Sequence, residues 1–405
     1  MQLQISEKAK SIGPSPTLAI DSKFKQMKQQ GIPVVGFGAG EPDFETPDNI
    51  KNAAIDAINN NFTKYTPASG TLELKRAICC KIKRDTGLEY STDQVIVCNG
   101  GKHALTNTFM TILNPGDEVI IPAPYWVSYP EMVKMADGVP VSILTTEEND
   151  FKFTMEQLEA AFTDKTRALV LNTPSNPTGM IYTKEELEAI AEFAVAHNMY
   201  IIFDEIYEKL VYEGEHINIA TLNDDVRKLT IIISGMAKTY AMTGWRIGYA
   251  VAEPEVIKAM SNMQSHATSN PNSIAQKASV EALDGDQSII DIMKTEYIKR
   301  RDYMVERINS IEGLSCKVPH GAFYLFMNIK GVLGKEHYGR MIRTSSELCE
   351  DMLERALVAM VPSEGFGVDG YVRLSYATSM EVIKTGLDRI EEYLQGKSGQ
   401  NAYQD

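Results

Sequence analysis

Short runs of apolar residues, rich in valine and isoleucine, recur along the chain and are separated by longer amphipathic stretches. Each run has the length and composition of a strand buried on both faces. One amphipathic stretch opens with the capping-box pattern Thr183–Glu186 and keeps helical spacing as far as Phe193. The alternation predicts an α/β fold with a mainly parallel sheet covered by helices on both sides. The predicted strands are Val34–Phe37, Gln94–Val97, Glu118–Ile121, Leu169–Leu171, Tyr200–Phe203 and Thr230–Ile233.

Polar residues follow three of these runs at the point where each strand ends. Asn172 and Asn176 follow the fourth run, Asp204 follows the fifth, and Ser234 and Lys238 follow the sixth. In open α/β sheets, ligands bind in the crevice beyond the carboxyl ends of the strands. The three runs therefore direct functional groups to one place.

The pattern changes near residue 295, where mixed strands at Ala322–Phe326 and Val372–Ser375 precede a final helix. The segment Thr378–Glu381 has a capping-box pattern and predicts the start of that helix. We expect a large three-layer domain followed by a smaller α+β domain, with a flexible polar tail. The predicted parts are an N-terminal segment joining the small domain (1–48), the large domain (49–294), the small domain (295–395) and the tail (396–405).

Composition and charge argue against several classes of partner and site. With 40 basic and 54 acidic residues among 405, the formal charge is −14, so neither nucleic acid nor an anionic membrane is an expected partner. The five cysteines form no CxxC pair and the six histidines show no HExxH spacing, so we expect no disulfide framework and no metal. Without a secretory signal or a membrane-spanning apolar run, the expected location is the cytoplasm.

Two other motifs are excluded by their surroundings. The glycines of Gly36–Gly40 superficially match a dinucleotide-binding loop, but Glu41 and Pro42 interrupt the helix start that such a loop needs. GxSxG is absent, so no nucleophilic serine is proposed.

Lys238 and Asp204 are candidates for cofactor chemistry. Lys238 lies in an apolar, glycine-bearing turn, where desolvation lowers the pKa of an amine and prepares a Schiff-base lysine. A lone lysine is most often a solvated surface group, but Asp204 precedes it by one helix-and-strand unit. Pyridoxal phosphate needs such a lysine together with an acidic partner for its ring nitrogen. Tyr207 could then hydrogen-bond the phenolic oxygen of the ring.

A phosphate site is predicted beside this pair. Gly100 and Gly101 follow a strand and begin a helical pattern, so their region offers free backbone amides at a helix N-terminus. Ser234 and Arg246 are further candidates, one as a hydroxyl and the other as a bidentate cation. Glycines also serve tight turns, so this signal is weak by itself.

Together these segments resemble the class I aminotransferases among the fold-type I pyridoxal phosphate enzymes, most closely the bacterial aspartate aminotransferases. The likeness extends to about Leu394 and covers nearly the whole chain. The motifs that carry it are Gly38–Phe44, Tyr65–Gly70, Pro124–Pro130, Asn172–Gly179, Asp204–Tyr207, Ser234–Lys238, Gly244–Tyr249 and Val372–Ala377.

The resemblance implies a role for each matched residue. Lys238 would hold pyridoxal 5'-phosphate covalently and move the proton of the substrate α-carbon, while Asp204 would pair with the ring nitrogen. Arg373 would clamp the substrate α-carboxylate, helped by Asn176 and the backbone of Gly40. The remaining cofactor contacts would be Asn176 and Tyr207 at the phenolic oxygen, Trp126 stacked on the ring, Gly101, Lys102, Ser234 and Arg246 at the phosphate, and Tyr65 from a second subunit of a homodimer.

Substrate choice depends on fewer residues. In the aspartate-type members of this family a lysine at the position of Lys102 lies near the side-chain carboxylate, so Lys102 favours a dicarboxylic substrate. Members that also accept prephenate tend to carry a basic residue where this chain has Gly13, before Pro14 and Ser15. This departure argues against prephenate.

The implied activity is ping-pong transamination between amino acid and 2-oxo acid substrates, from L-aspartate to 2-oxoglutarate, giving oxaloacetate and L-glutamate. Two alternatives share the fold: an aminotransferase for aromatic amino acids or alanine, and a pyridoxal phosphate-dependent β-lyase. A catalytically silent regulator would need an interaction module or a basic patch, and the sequence contains neither.

Overall fold

A seven-stranded sheet forms the centre of the molecule in the computed structural model, which describes residues 4–13 and 16–397. Its strand order is β2-β8-β7-β6-β5-β3-β4, and β8 alone runs antiparallel to its neighbours. The mainly parallel α/β sheet predicted from the apolar runs is therefore confirmed. The strands of this sheet are β2 (Val95–Cys98), β3 (Glu118–Ala123), β4 (Val139–Leu144), β5 (Thr166–Asn172), β6 (Tyr200–Asp204), β7 (Thr230–Gly235) and β8 (Gly248–Val251).

The remaining strands form smaller sheets. β14, β15, β10 and β9 make a four-stranded antiparallel sheet, β11 pairs with β12, and β1 pairs with β13 in parallel. The run at Val34–Phe37 thus forms a strand, but a short one outside the central sheet. These strands are β1 (Val35–Gly36), β9 (Ser315–Cys316), β10 (Tyr324–Asn328), β11 (Lys335–His337), β12 (Arg340–Ile342), β13 (Val358–Ala359), β14 (Val361–Pro362) and β15 (Tyr371–Ser375).

Fourteen α-helices are present in the described ranges. They are α1 (Glu7–Ser11), α2 (Pro16–Gln29), α3 (Asp48–Asn59), α4 (Leu72–Thr86), α5 (Gly101–Ile112), α6 (Ser128–Met135), α7 (Met155–Ala161), α8 (Lys184–Ala196), α9 (Asp224–Leu229), α10 (Pro254–Ala267), α11 (Ser273–Asp284), α12 (Ser288–Ser310), α13 (Ser345–Arg355) and α14 (Met380–Leu394). Short 3₁₀ helices lie at Thr92–Gln94, Glu147–Asn149, Ile219–Thr221, Thr243–Trp245 and Glu364–Phe366.

Helix starts test two sequence predictions. The capping box of α8 is present, because the Thr183 hydroxyl accepts from the Glu186 amide and the Glu186 carboxylate accepts from the Thr183 amide. The box predicted at Thr378–Glu381 is wrong by one residue. Ser379 is the N-cap of α14 and accepts from the amide of Val382, whose side chain cannot complete a box.

Apolar side chains bury both faces of the central sheet. Ile96, Ile121 and Ile202 belong to one cluster, whereas Ile120 and Ile201 belong to another on the opposite face. This alternation explains why the parallel strands are apolar throughout. A separate cluster packs α12 and α14 against the four-stranded sheet.

We propose the division into the four parts expected from the sequence. Helix α12 runs across the proposed boundary between 294 and 295, and most of the predicted tail, from 398 onward, lies outside the described residues. Within those residues, no helix is both long enough and apolar enough to cross a membrane.

Candidate active site

A cavity of ≈ 470 Å³ opens beyond the carboxyl ends of β5, β6 and β7 and is closed on its other side by residues of β10, β15 and the N-terminal segment. Ten of the twelve predicted site residues line it. The two others are Ser234, which is buried at the end of β7, and Tyr65, which is 91% exposed. The ten are Gly40, Gly101, Lys102, Trp126, Asn176, Asp204, Tyr207, Lys238, Arg246 and Arg373.

Lys238 follows β7 and projects its amine into this cavity, where Nζ donates a hydrogen bond to the carbonyl of Gly40. Desolvation lowers the pKa of the amine to about 8. Glu41 opposes this shift, whereas the positive charge of Arg373 adds to it. With this pKa, about a tenth of the amine is neutral at pH 7, far more than for an ordinary lysine.

Asp204 ends β6 with its carboxylate buried in the same cavity. The hydroxyl of Tyr129 donates to Oδ2 at 2.6 Å, and the amide of Ile206 donates to Oδ1 at 3.2 Å. Burial raises the pKa of Asp204 to about 6, although these hydrogen bonds oppose the shift. A cationic partner in the cavity would relieve this cost. Sequence reasoning missed the role of Tyr129, although it lies within the matched segment Pro124–Pro130.

The predicted phosphate site combines the start of α5 with Arg246. Gly100 has φ +89°, and a Cβ built there would lie 2.5 Å from Nη2 of Arg246. Only glycine lets the guanidinium approach the helix start so closely. Arg246 donates from Nη1 to the Thr243 carbonyl at 2.9 Å and itself has a left-handed φ of 57°. The amides of Gly101 and Lys102 precede the first backbone hydrogen bonds of α5, which His103 and Ala104 donate to the Gly100 carbonyl, so these two amides and the guanidinium can converge on one anion.

Arg373 brings β15 to the cavity. It donates from Nη1 to Oδ1 of Asn176 at 3.0 Å and from Nη2 to the Gly38 carbonyl at 3.1 Å, while its buried Nε has no partner. A buried donor without a partner is costly, and a bound carboxylate would satisfy it. The hydroxyls of Tyr207 and Tyr324 lie 2.9 Å apart, and the guanidinium of Arg373 lies 4.4 Å from the ring centroid of Tyr324. Tyr324 was not predicted, because only β10–β15 pairing brings it here.

Lys102, in the first turn of α5, extends over the ring of Trp126, with Nζ 4.8 Å from the ring centroid. Burial and the nearby charge of Arg246 lower the pKa of Lys102. Its amine is thus a partly desolvated donor at the edge of the cavity. Tyr65, by contrast, does not approach the cavity of its own chain.

Residues 32–390 match the family model of class I and II aminotransferases. The chain belongs to this family. An aspartate aminotransferase of Bacillus sp. strain YM-2 is 47% identical over 97% of this chain and all of its own length. An aspartate/prephenate aminotransferase of Nitrosomonas europaea is 44% identical over 97% of this chain and 100% of its own length. The crystal structure of the aspartate aminotransferase from Rhizobium meliloti superposes with a TM-score of 0.94 at 44% identity, covering 97% of this chain and 99% of that one.

Class I aminotransferases use pyridoxal phosphate, and the residues of this cavity fit that group. The amine of Lys238 is desolvated, the buried carboxylate of Asp204 favours a cationic partner, and the absence of a Cβ at Gly100 lets the guanidinium of Arg246 approach the start of α5. These three features match the aldehyde, the ring nitrogen and the phosphate of the cofactor.

Proposed function

We propose that this aminotransferase moves the amino group of L-aspartate to 2-oxoglutarate in two half-reactions, releasing oxaloacetate and then L-glutamate. The observation that carries the proposal is the convergence of Lys238, Asp204 and Arg373 in one cavity. The names of the full-length relatives support aspartate as the amino donor.

Pyridoxal 5'-phosphate, when bound, supplies an electron sink for negative charge at the substrate α-carbon. Asp204 would hold the ring nitrogen protonated, because the nitrogen cation compensates its buried carboxylate. The remaining contacts would be Asn176 and Tyr207 at the phenolic oxygen, Trp126 on the ring face, and Gly101, Lys102, Ser234 and Arg246 around the phosphate.

Lys238 would hold the cofactor covalently and, once released by the substrate amine, would move the proton of the α-carbon. A general base works best when its pKa lies near the working pH. Its pKa of about 8 meets this condition. The positive charges of Arg246 and Arg373 nearby disfavour the ammonium form of Lys238 and help the amine release its proton.

The two substrate carboxylates would bind at opposite ends of the cavity. Arg373 would take the α-carboxylate through Nε and one terminal nitrogen, a bidentate geometry that lysine cannot reproduce, assisted by Asn176 and Gly40. Lys102 would take the side-chain carboxylate. Because the site is shared by both half-reactions, the same pair would bind aspartate and 2-oxoglutarate, and the small domain would close over them.

We further propose a cytoplasmic homodimer in which Tyr65 reaches the phosphate of the partner's active site. Its 91% exposure leaves the phenol available for such a contact. The absence of a basic residue at Gly13 leads us to propose aspartate without prephenate as the substrate; Pro14 and Ser15, which follow it, lie outside the described residues.

The absorbance spectrum of the purified protein tests this function. L-Aspartate alone should convert the bound cofactor to its pyridoxamine form, and 2-oxoglutarate should restore the original band. Lys238→Ala should abolish this exchange, whereas Lys184→Ala, at an exposed lysine of α8, should leave it intact. If only L-phenylalanine or L-alanine drives the exchange, the donor assignment is wrong. Pyruvate release from a cysteine conjugate without any acceptor would instead identify a β-lyase.

A further inference from the structure

A buried ion pair lies outside the cavity, next to the predicted phosphate ligand Ser234. Lys81 of α4 is 3% exposed, and its amine donates to Oε1 of Glu208. Glu208 follows β6, and its side chain is also buried. Neither residue lines the cavity. Burial of two charges is expensive and a pair of apolar residues would often be at least as stable, so stability alone is a weak reason for this pair.

The same carboxylate oxygen contacts Ser234. The hydroxyl of Ser234 donates to Oε1 of Glu208 at 3.5 Å, which is long and therefore weak for an O–H···O hydrogen bond. A serine hydroxyl has one proton to donate. Ser234 can direct that proton to Glu208, to the neighbouring hydroxyl of Tyr249 or to a phosphate oxygen beyond the end of β7, but not to more than one of them at full strength.

Lys81 contacts the carboxylate that takes part in this competition. Its ammonium donates to the same oxygen, Oε1, that the Ser234 hydroxyl contacts, and its positive charge makes that oxygen a weaker acceptor for the serine proton. Without Lys81, Glu208 would become the stronger acceptor for the serine proton and would place an uncompensated negative charge near a dianionic phosphate. Burial then makes the repulsion stronger than in water.

The neighbouring charges do not replace Lys81. Asp85 is bridged by Lys81 at 3.5 Å and by Lys209 at 2.9 Å, so Lys209 is already engaged with another carboxylate. Glu205 accepts from Nδ2 of Asn218 at 2.9 Å and lies 2.8 Å from Nε2 of His216. The carboxylates of Glu205 and Glu208 lie close to His216. Glu205 already accepts a hydrogen bond from Asn218 and contacts His216, and Glu208 is already paired with Lys81, so we assign no metal to this cluster.

We propose that Lys81 and Glu208 are positioning residues for the cofactor phosphate: their ion pair weakens the hold of Glu208 on the Ser234 hydroxyl and leaves its proton for the phosphate. This inference rests on the proposed function, which places the phosphate at Ser234. It makes the affinity for phosphate depend on a pair of side chains that do not touch it.

The test measures binding of inorganic phosphate and of pyridoxal phosphate to the full chain stripped of cofactor, by calorimetry and absorbance titration. Lys81→Met should weaken both about tenfold, a loss typical of one weakened charge-assisted hydrogen bond. The double variant Lys81→Met/Glu208→Gln removes the uncompensated charge and should recover most of that affinity. If thermal melting shows that Lys81→Met folds poorly, the double variant still tests the proposal, because it buries no unpaired charge.

A thermodynamic cycle with Ser234→Ala isolates the route. Lys81→Met should weaken phosphate binding less in the Ser234→Ala background than in the wild type, because only the direct repulsion between Glu208 and the phosphate remains once the serine proton is gone. Full additivity of the two substitutions, or wild-type phosphate affinity in Lys81→Met, would overturn the positioning role. If the wild-type chain takes up no pyridoxal phosphate at all, the proposed function fails instead, so the two failures are distinguishable.

Discussion

Single residues in this cavity owe their chemistry to burial. Lys238 and Asp204 are shifted in opposite directions relative to their usual pKa values, the amine down to about 8 and the carboxyl up to about 6, and desolvation is the largest cause of both shifts. Each shift disfavours the charged form. A cofactor whose aldehyde reacts with the amine and whose ring-nitrogen cation faces the carboxylate would therefore relieve the desolvation cost of both groups.

The pKa of Lys238 predicts a pH-dependent stability for the cofactor-free protein. The folded-state pKa lies below the unfolded value of 10.5, so between about pH 8 and pH 10 the unfolded chain binds a proton that the folded chain does not. The stability conferred by neutral Lys238 is present at high pH and is lost as pH falls through about 8.

Relative to Lys238→Met, the cofactor-free wild type should consequently gain free energy of unfolding by up to about 1.4 kcal/mol per pH unit across this window. Urea denaturation of both proteins at pH 7, 8, 9 and 10 measures the difference. A difference that stays constant with pH would show that the amine titrates normally.

Lys102 is the residue at which substrate choice is expected to reside. Lys102→Met keeps the apolar stem over Trp126 and removes only the charge. Loss of one charge pair with the side-chain carboxylate should lower kcat/KM for L-aspartate by ~30- to 150-fold, which corresponds to ~2–3 kcal/mol. Kinetics with L-alanine provide the control, because this substrate has no second carboxylate and should lose far less. An equal loss for both substrates would assign Lys102 to the phosphate alone.

At the scale of elements, helix termini and strand ends place the functional groups. β5, β6 and β7 end at Asn172, Asp204 and Gly235, at one edge of the sheet, and α5 begins opposite them. The backbones of α5 and β8 also approach each other closely, since a Cβ at Gly248 of β8 would lie 2.3 Å from the amide nitrogen of Gly101. The predicted phosphate site would thus depend on how tightly α5 packs on the antiparallel strand β8.

Gly100→Ala tests this arrangement. The added methyl group meets Arg246 and the backbone conformation is nearly restricted to glycine, so both phosphate affinity and stability should fall, the latter by ~1–3 kcal/mol. Gly87→Ala is the matched control: Gly87 also has positive φ, but its Cβ would meet nothing within 4 Å. It should lose ~1 kcal/mol of stability and no phosphate affinity. Equal phosphate binding in the two variants, measured by calorimetry, would remove Arg246 from the phosphate site.

For the molecule as a whole, the exposed apolar side chains on α3 and α4 support the proposed homodimer. Ile55, Ile58 and Leu72 are each at least half exposed, and the 91% exposed Tyr65 lies between these helices in sequence. Exposed apolar patches commonly mark association surfaces.

Ile58→Glu should therefore shift the molecule from dimer to monomer in sedimentation velocity and should reduce activity, because Tyr65 would no longer reach a second site. Ile292→Glu is the control, since Ile292 of α12 is similarly exposed, at 55% against 52% for Ile58, but lies on another helix. A wild-type monomer, or dissociation by Ile292→Glu alone, would place the interface elsewhere or exclude it.

The amino-acid sequence was enough to predict the alternation of strand and helix, the capping box of α8 and the polar groups at three strand ends, because these depend on periodicity and on neighbours in the chain. Its motifs were also sufficient to identify the family. Three contacts became visible only in the folded chain: the hydrogen bond of Tyr129 to Asp204, the contact of Tyr324 with Tyr207, and the ion pair of Lys81 with Glu208 beside Ser234. Such contacts join distant segments, and the pKa shifts follow from desolvation, which exists only once the chain has packed.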